Sequence, residues 1–530
     1  MDNPVGNGFR CKRITDLFDE EKVIKVMPLL LTLVAVSVVS CGESKPVMPG
    51  AKEKYNDPPA PEYTAVSVHD PSVFISGNNE FYVMGSHLAA AKTADFINWV
   101  QVTQDWKGVP NSFYPQDNPD AAVQTVQSQI TDVMRGSQFP ISFYAGDIHR
   151  MPDGKFFQYY CMTSSWYCSA IGLSIADNIE GPYITQGLIV RSGEAADNSL
   201  SPDGTSRWHM SMFPNCIDPQ AFFDKDGGNF YLVYGSWSGG IFIYELNPQT
   251  GMLKEDSVIN AENAGYGKKL IRNSHSSIEG PYIIYSPETQ YYYLFVSYGG
   301  LAANGGYNMR VFRSRSPAGP YEDAERPGSD MSQDLMHTVH YNYGVKIMGS
   351  YKYENIPGET PSLSTEYLSP GHNSVYHDSD TEKYFLIYHQ RFSGRGEYHE
   401  VRVCEMFINE DGWFVASPFR YDGGTIRSFS PAGIPGTWKL INHGKVNNTI
   451  PVKSVEYKFS DNGKMEGPHD SSGTWELKSD GKTVYITIDG VLYKGVFLRC
   501  YDEEKKQWVQ AFTALSANGI ALWGAGAAVK

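Results

Sequence analysis

Ile217-Asp218-Pro219-Gln220-Ala221-Phe222, followed by Phe230-Tyr231-Leu232-Val233-Tyr234, is the stretch that decides the fold. An acidic residue opens a short apolar segment, Asp226-Gly227-Gly228 supplies a turn, and an aromatic and β-branched run returns. That composition and punctuation read as two short strands joined by a tight turn. The phrase recurs four times. His69-Asp70-Pro71-Ser72-Val73-Phe74 leads to Phe81-Tyr82-Val83-Met84, and Ala145-Gly146-Asp147-Ile148-His149 leads to Phe156-Phe157-Gln158-Tyr159-Tyr160. Ile278-Glu279-Gly280-Pro281-Tyr282-Ile283 leads to Tyr291-Tyr292-Tyr293-Leu294-Phe295. Gly371-His372-Asn373-Ser374-Val375-Tyr376 leads to Tyr384-Phe385-Leu386-Ile387-Tyr388.

Radial repetition of small sheets is one way an all-β chain limits its exposed edges. The expectation is a five-bladed β-propeller over residues 63–432. The intervals between units exceed the roughly 40–50 residues of common propeller blades, which leaves room for long loops. In such a ring the first strand of each blade lies nearest the axis. Asp70, Asp147, Asp218, Glu279 and His372 then converge on one mouth of the channel, where several acids in phase with a repeat point to chemistry.

The rest of the composition agrees. Aromatic residues make up 13% of the 530-residue chain and glycines number 51, which favours strands and turns over helix bundles. Helical signals are sparse, with Asp120 to Met134 the best candidate. Lys and Arg total 44 against 59 Asp and Glu, a net charge of −15. With no basic block beyond the first 30 residues, nucleic acid is excluded as an expected partner. Seven cysteines are scattered and match no zinc spacing. Cys161 and Cys168 either pair or stay as buried thiols.

Residues 1–41 read as an N-terminal extension with an export signal. The apolar run from Met27 to Ser40 has the length of a signal core and is short for a membrane span. A small residue before Cys41 resembles a bacterial lipobox, so Cys41 is the expected lipidation site, on a periplasmic or cell-surface protein. Membrane contact is expected only through that anchor. Residues 42–62, rich in proline, read as an extended tether. Residues 437–530 show short alternating segments divided by Asp461-Asn462-Gly463, Asp480-Gly481 and Asp489-Gly490, and read as a small antiparallel β barrel or sandwich. Its expected role is to pack against the ring, with sugar binding through Trp or Tyr faces as the alternative.

Over residues 64 to 430 these motifs together resemble glycoside hydrolase family 43, and most closely its endo-α-1,5-L-arabinanases. The terminal unit is similar to the extra β domain of some extracellular arabinanases. The resemblance implies that Asp70 is the general base, Glu279 the general acid, and Asp218 the third acid that tunes the donor. It implies sugar contacts at His69, Asn215, Gly235, Ser236 and Trp237, places Asp147 near the sugar, and puts a hydrated calcium ion on the axis at His372. The implied substrate is arabinan or its oligosaccharides. The second motif departs from the family, with Tyr144-Ala145-Gly146 where many relatives have Trp-Ala-Pro. Long insertions at 101–140, 190–213 and 322–366 bear on the shape of the cleft.

The chemistry is that of two carboxyls in different protonation states, one giving a proton to the leaving oxygen and one activating water. Inverting enzymes hold them roughly 6.5–9.5 Å apart to admit the water. Residues on opposed blades suit that spacing, so inversion is expected, with Asp218 raising the pKa of Glu279 by like-charge repulsion. The alternatives are an exo-acting α-L-arabinofuranosidase or β-xylosidase on the same ring, and a glycan-binding protein without catalysis.

Overall fold

The computed structural model describes residues 55–77, 80–104, 113–114, 143–192, 208–333, 340–424 and 428–527. The expected signal, Cys41, and the Asp120 to Met134 helix lie outside the described residues.

Five antiparallel sheets follow one another along the chain, each made of strands in sequence order. Blade 1 holds β1 (Ser72–Ile75), β2 (Phe81–Met84), β3 (Ala90–Thr93) and β4 (Trp99–Thr103). Blade 2 holds β5 (Tyr144–Arg150), β6 (Phe156–Ser165), β7 (Cys168–Ala176) and β8 (Ile184–Arg191). Blade 3 holds β9 (Gln220–Phe223), β10 (Phe230–Tyr234), β11 (Ser238–Leu246) and β12 (Lys268–Ser274). Blade 4 holds β13 (Ile278–Ser286), β14 (Tyr291–Tyr298), β15 (Asn308–Ser314) and β16 (Val345–Met348). Blade 5 is built on β17 (Tyr351–Lys352), β18 (Glu366–Asp378), β19 (Lys383–Phe392), β20 (His399–Ile408) and β21 (Phe414–Ala416). The inner strands touch in cyclic order, β1 to β5 to β9 to β13 to β18 and back to β1. This is the expected five-bladed propeller.

The packing explains why the second strand of each unit reads as an unbroken apolar run. Every residue of β10, Phe-Tyr-Leu-Val-Tyr, is buried, because both faces of a blade lie against neighbouring blades. A fully buried strand has no polar face to alternate with. Between blades 2 and 3, for instance, Phe157, Tyr159 and Leu173 pack with Phe230, Leu232 and Phe242. The N-terminal segment closes the ring, since Val401 on blade 5 donates its N–H to the carbonyl of Val66 at 2.9 Å. Among the described cysteines, Cys161, Cys216, Cys404 and Cys500 are buried free thiols, and Cys168 is buried as well.

The terminal unit is a closed eight-stranded barrel rather than a sandwich. Its strands are β22 (Gly436–Asn442), β24 (Val455–Phe459), β25 (Lys464–Glu466), β26 (Ser472–Leu477), β27 (Thr483–Ile488), β28 (Val491–Asp502), β29 (Gln507–Ser516) and β30 (Ala521–Gly526). Trp438, Phe459, Trp475, Phe497 and Phe512 fill it. Its outer face is apolar too, and Ile441, Leu515 and Trp523 join the core of blades 4 and 5. The short strand β23 (Val452–Lys453) pairs in parallel with β17 and extends the fifth sheet. Of the expected tether, residues 55–62 are described, and Arg499 grips Asp57 there through two hydrogen bonds of 2.6 Å.

A buried ionic knot joins barrel and ring. Glu359, from the loop between β17 and β18, lies 2.7 Å from Lys439 and 3.4 Å from Lys505, and all three are buried. Breaking one partner of a buried cluster strands the remaining charge, a loss of about 3–5 kcal/mol. Glu359→Ala is therefore expected to lower unfolding stability by about that amount. Denaturant titration checks this, and an unchanged midpoint would show that the knot carries no stability.

Candidate active site

The inner strands break their ladders at one level. The register slips between Tyr144 and Asp147, between Glu279 and Tyr282, and twice between Leu368 and Ser374. At this level Asp70 (φ 57°), Ala145 (φ 38°), Asp218 (φ 57°), Gly280 (φ 59°) and His372 (φ 47°) all take positive φ. Side-chain-bearing residues avoid that region, at a cost of roughly 1–3 kcal/mol each, so it clusters where a site demands a direction. Here Asp70, Asp218, Gly280 and His372 line one pocket.

Asp70 is the most heavily bonded acid. Its Oδ2 accepts from Ser86 Oγ at 2.5 Å and lies 2.7 Å from His69 Nδ1, while its Oδ1 lies 3.1 Å from His372 Nδ1. His69 Nε2 is 3.0 Å from the guanidinium of Arg391. Arginine only donates, so Nε2 accepts and the His69 proton sits on Nδ1, facing Asp70. Burial pushes the Asp70 carboxyl up, but His372 and His69 overcome it and hold it well below the usual carboxylate range. His389 stacks on His69 at 4.3 Å, and burial keeps its pKa well below the ordinary histidine value.

Glu279 has the opposite setting. Its Oε1 accepts from Tyr307 OH at 2.8 Å, and its Oε2 accepts from Trp237 Nε1 at 2.8 Å and Ser236 Oγ at 3.1 Å. Burial, reinforced by Asp70, raises its pKa against the pull of His372 and these donors. Asp218 Oδ2 accepts from the Gly280 N–H at 3.1 Å. Burial, with Glu279 and Asp70 behind it, pushes Asp218 up to about 7 despite His372. Glu279 thus helps to raise Asp218, while the first cause of Glu279's own raised pKa is burial. Burial would lower His372, but Asp70, Asp218 and Glu279 push it up to about 9.

The other expected contacts fall into two groups. Ser236, Trp237 and His69 touch the acids directly. Gly235 (φ 125°) turns the chain ahead of Ser236, and a Cβ there would sit 2.5 Å from the carbonyl of Gly240. Asn215 is buried behind the pocket, its Oδ1 accepting from Ser169 Oγ at 2.6 Å.

Asp147 is not at the acid level. Ala145 takes the second-blade position at the ladder break, and Asp147 lies two residues further along the strand. Its Oδ1 accepts from Ser72 Oγ and its Oδ2 from the Ala221 N–H at 2.8 Å. It borders a separate cavity of about 390 Å³ with Ile75, Gly77 and Arg150, at the opposite ends of the strands. The expectation that it stands near the sugar is not met by this placement.

Four participants carried no sequence signal: Ser86, Tyr307, His389 and Arg391. Tyr307 is seated because Gly371 lacks a side chain; a Cβ there would lie 2.1 Å from the Tyr307 ring. The barrel backs this wall. Asn447 Oδ1 accepts from Asn308 at 3.0 Å, Asn447 Nδ2 lies 3.2 Å from His340 Nε2, and that nitrogen lies 3.2 Å from Ser277 Oγ, two residues before Glu279.

Comparison with known proteins agrees with this geometry. The description "Glycosyl hydrolases family 43" matches residues 64–414. The chain belongs to glycosyl hydrolase family 43. A second match, to a C-terminal lipocalin-like domain, covers residues 418–524. This family 43 chain is 44% identical over 474 residues to extracellular endo-α-(1→5)-L-arabinanase 2 of Bacillus subtilis, covering 88% of this chain and 94% of that one. It is 40% identical over 473 residues to the extracellular endo-α-(1→5)-L-arabinanase of Thermotoga petrophila, with the same coverage. The crystal structure of endo-1,5-α-L-arabinanase from Thermotoga petrophila superposes with a TM-score of 0.77 at 38% identity, covering 88% of this chain and 99% of that one. The family 43 YxiA protein from Bacillus licheniformis gives a TM-score of 0.78 at 39% identity, with the same coverage. The chain is a glycoside hydrolase.

Asp147 yields a stability prediction. Asp147→Ala leaves the Ser72 hydroxyl and the Ala221 N–H unpaired, at about 1–3 kcal/mol for each buried group. The Asp147 pKa is about 6 in the fold, raised by burial from an ordinary 3.8. The native state thus binds the extra proton, so this group's contribution is full below about 3.8 and lost as pH rises through about 6. Asp147→Asn is expected to remove that slope, as read from denaturant midpoints between pH 4 and 7. An identical slope in wild type and Asp147→Asn would refute it.

Proposed function

We propose that this protein cleaves internal α-1,5-L-arabinofuranosidic bonds of arabinan by inversion, as an exported enzyme. The observation that carries the chemistry is the contrast between two acids that feel each other's charge. Asp70 is held ionised by three donors, and Glu279 is held towards its protonated form by burial. Asp70 serves as the base that activates water, and Glu279 as the acid that protonates the leaving oxygen. Separate environments for paired acids are the general means of dividing these roles. Asp218 holds the Gly280 N–H, next to Glu279, which makes it a positioning acid. Support for the substrate comes from the two arabinanases that match most of the chain. Their names also carry the word extracellular, which supports export, and lipidation at Cys41 belongs to the same reading.

The donor set at His372 bears on the expected calcium ion. Its Nδ1 faces the Asp70 carboxylate, the usual arrangement for a histidine whose Nε2 binds a metal. Calcium prefers oxygen ligands, and one imidazole supplies none. Three carboxylates surround that imidazole, which suits an ion held mainly through water. Such an ion would offset the negative charge of the pocket. Dialysis against a chelator is expected to lower activity and added calcium to restore it; activity indifferent to both would dismiss the ion.

Glu279→Gln is expected to reduce kcat on linear arabinan by about 10²–10⁴-fold, the usual contribution of a general acid. Wild type should release mixed oligosaccharides early and products of inverted anomeric configuration, read by product sizing and NMR. Near-normal turnover by the variant would reject the role of Glu279. Arabinose alone from the first minutes would reject internal cleavage, and retained configuration would reject inversion.

A further inference from the structure

The rim beside Glu279 carries an aromatic cluster that the acid chemistry does not use. Trp166 sits at the tip of the hairpin between β6 and β7, and the residue is 39% exposed. Its ring lies 5.2 Å from that of Trp237 at a tilt of 37°. The His275 ring meets Trp166 edge-on at 4.8 Å and lies 5.7 Å from Trp237. The cluster is held in place from below. Trp237 donates its backbone N–H to Ile278 O at 2.7 Å, and Asn273 Nδ2 donates to Trp237 O at 2.5 Å. Ser238 Oγ lies 2.9 Å from His275 Nδ1. Trp237 and His275 both take positive φ, at 57° and 60°. A bulky residue held in that region marks a shape worth its strain. Met210 and Met212 are also exposed, and the Gly239 N–H, next to this cluster, donates to Met210 O at 2.8 Å.

An exposed, rigid indole is a large apolar surface with few torsions to freeze, and such residues dominate binding energy at recognition surfaces. For an uncharged furanose chain, the C–H face of a sugar is the matching partner. The direction follows from the acid. Glu279 protonates the oxygen that leaves, and Trp237 both holds Glu279 Oε2 and packs on Trp166. The residues around Asp70 are instead Ser86, His69, His372 and His389. The aromatic pair therefore stands on the acid's side of the bond to be cut.

We propose that Trp166 is a binding platform for the departing, reducing-end portion of the arabinan chain. This rests on the arabinanase reading above and adds to it a residue that fixes how many sugars are held beyond the cut. Trp166 acts through binding and not through the chemical step.

The test compares wild type, Trp166→Ala and Trp166→Phe on linear arabinan and on arabinohexaose labelled at its reducing end. Trp166→Ala is expected to raise KM roughly tenfold, the equivalent of losing one good aromatic contact, while kcat on the polymer stays within about twofold. Labelled products should shorten, because registers with fewer sugars on the departing side are then favoured. Trp166→Phe, which keeps an aromatic face, should recover most of the affinity. If wild type cleaves arabinan and Trp166→Ala matches it in KM and labelled product length, the platform is refuted and the activity stands. Longer labelled products from Trp166→Ala would place the platform on the opposite side of the cut. A wild-type protein that leaves arabinan intact overturns the activity itself.

Discussion

Five inner strands meet around an axis, and among the described residues no ladder pairs one inner strand with the next. Buried polar backbone must still find partners. The structure meets that demand with a belt of side chains. Ser374 ties blade 5 to blade 1, donating to Pro71 O at 2.7 Å and accepting from the Val73 N–H at 3.0 Å. Asp147 ties blade 2 to both Ser72 on blade 1 and Ala221 on blade 3. Gln220 ties blade 3 to Ile283 on blade 4 at 3.1 Å, and Ser297 on blade 4 accepts from the His372 N–H at 2.7 Å. The ring closes through these contacts, and the acids stand directly above them.

That closure explains how the acids come to differ. The belt and the ladder breaks fix the backbone, and the left-handed residues then aim side chains into one buried pocket. Burial alone raises every carboxyl. What separates Asp70 from Glu279 is the donor set: imidazoles crowd the first, while neutral hydroxyl and indole groups hold the second. The strain at Asp70, Asp218 and His372 is borne by five apolar interfaces between blades.

The repeat made the propeller, its five blades and the direction of its acids legible in the sequence, because a buried hairpin leaves an aromatic run and a turn. The phase within each unit was less legible. Asp147 sits in an acidic-apolar phrase like the others, yet the ladder break falls at Ala145, where alanine bears no chemical signal. A two-residue error across that break moves the side chain down to the layer of Ser72 and Ala221. Tyr307 and Arg391 were invisible for a different reason. They reach the pocket from the second layer of strands and loops, where no periodicity marks them. The approach to blade 1 read as a tether from its prolines; one aspartate opposite Arg499 was enough to dock its end.

The Asn447 contact changes how the two halves of this chain relate as evolutionary parts. A barrel that only leaned on the ring could be exchanged for another of the same shape. Here a barrel loop is hydrogen-bonded to Asn308 and His340, and through His340 to Ser277 two residues before Glu279, so ring and barrel form one inheritance unit. Chimeras that join this ring to a foreign barrel inherit a mismatch behind Ser277 and Glu279, even where both halves fold.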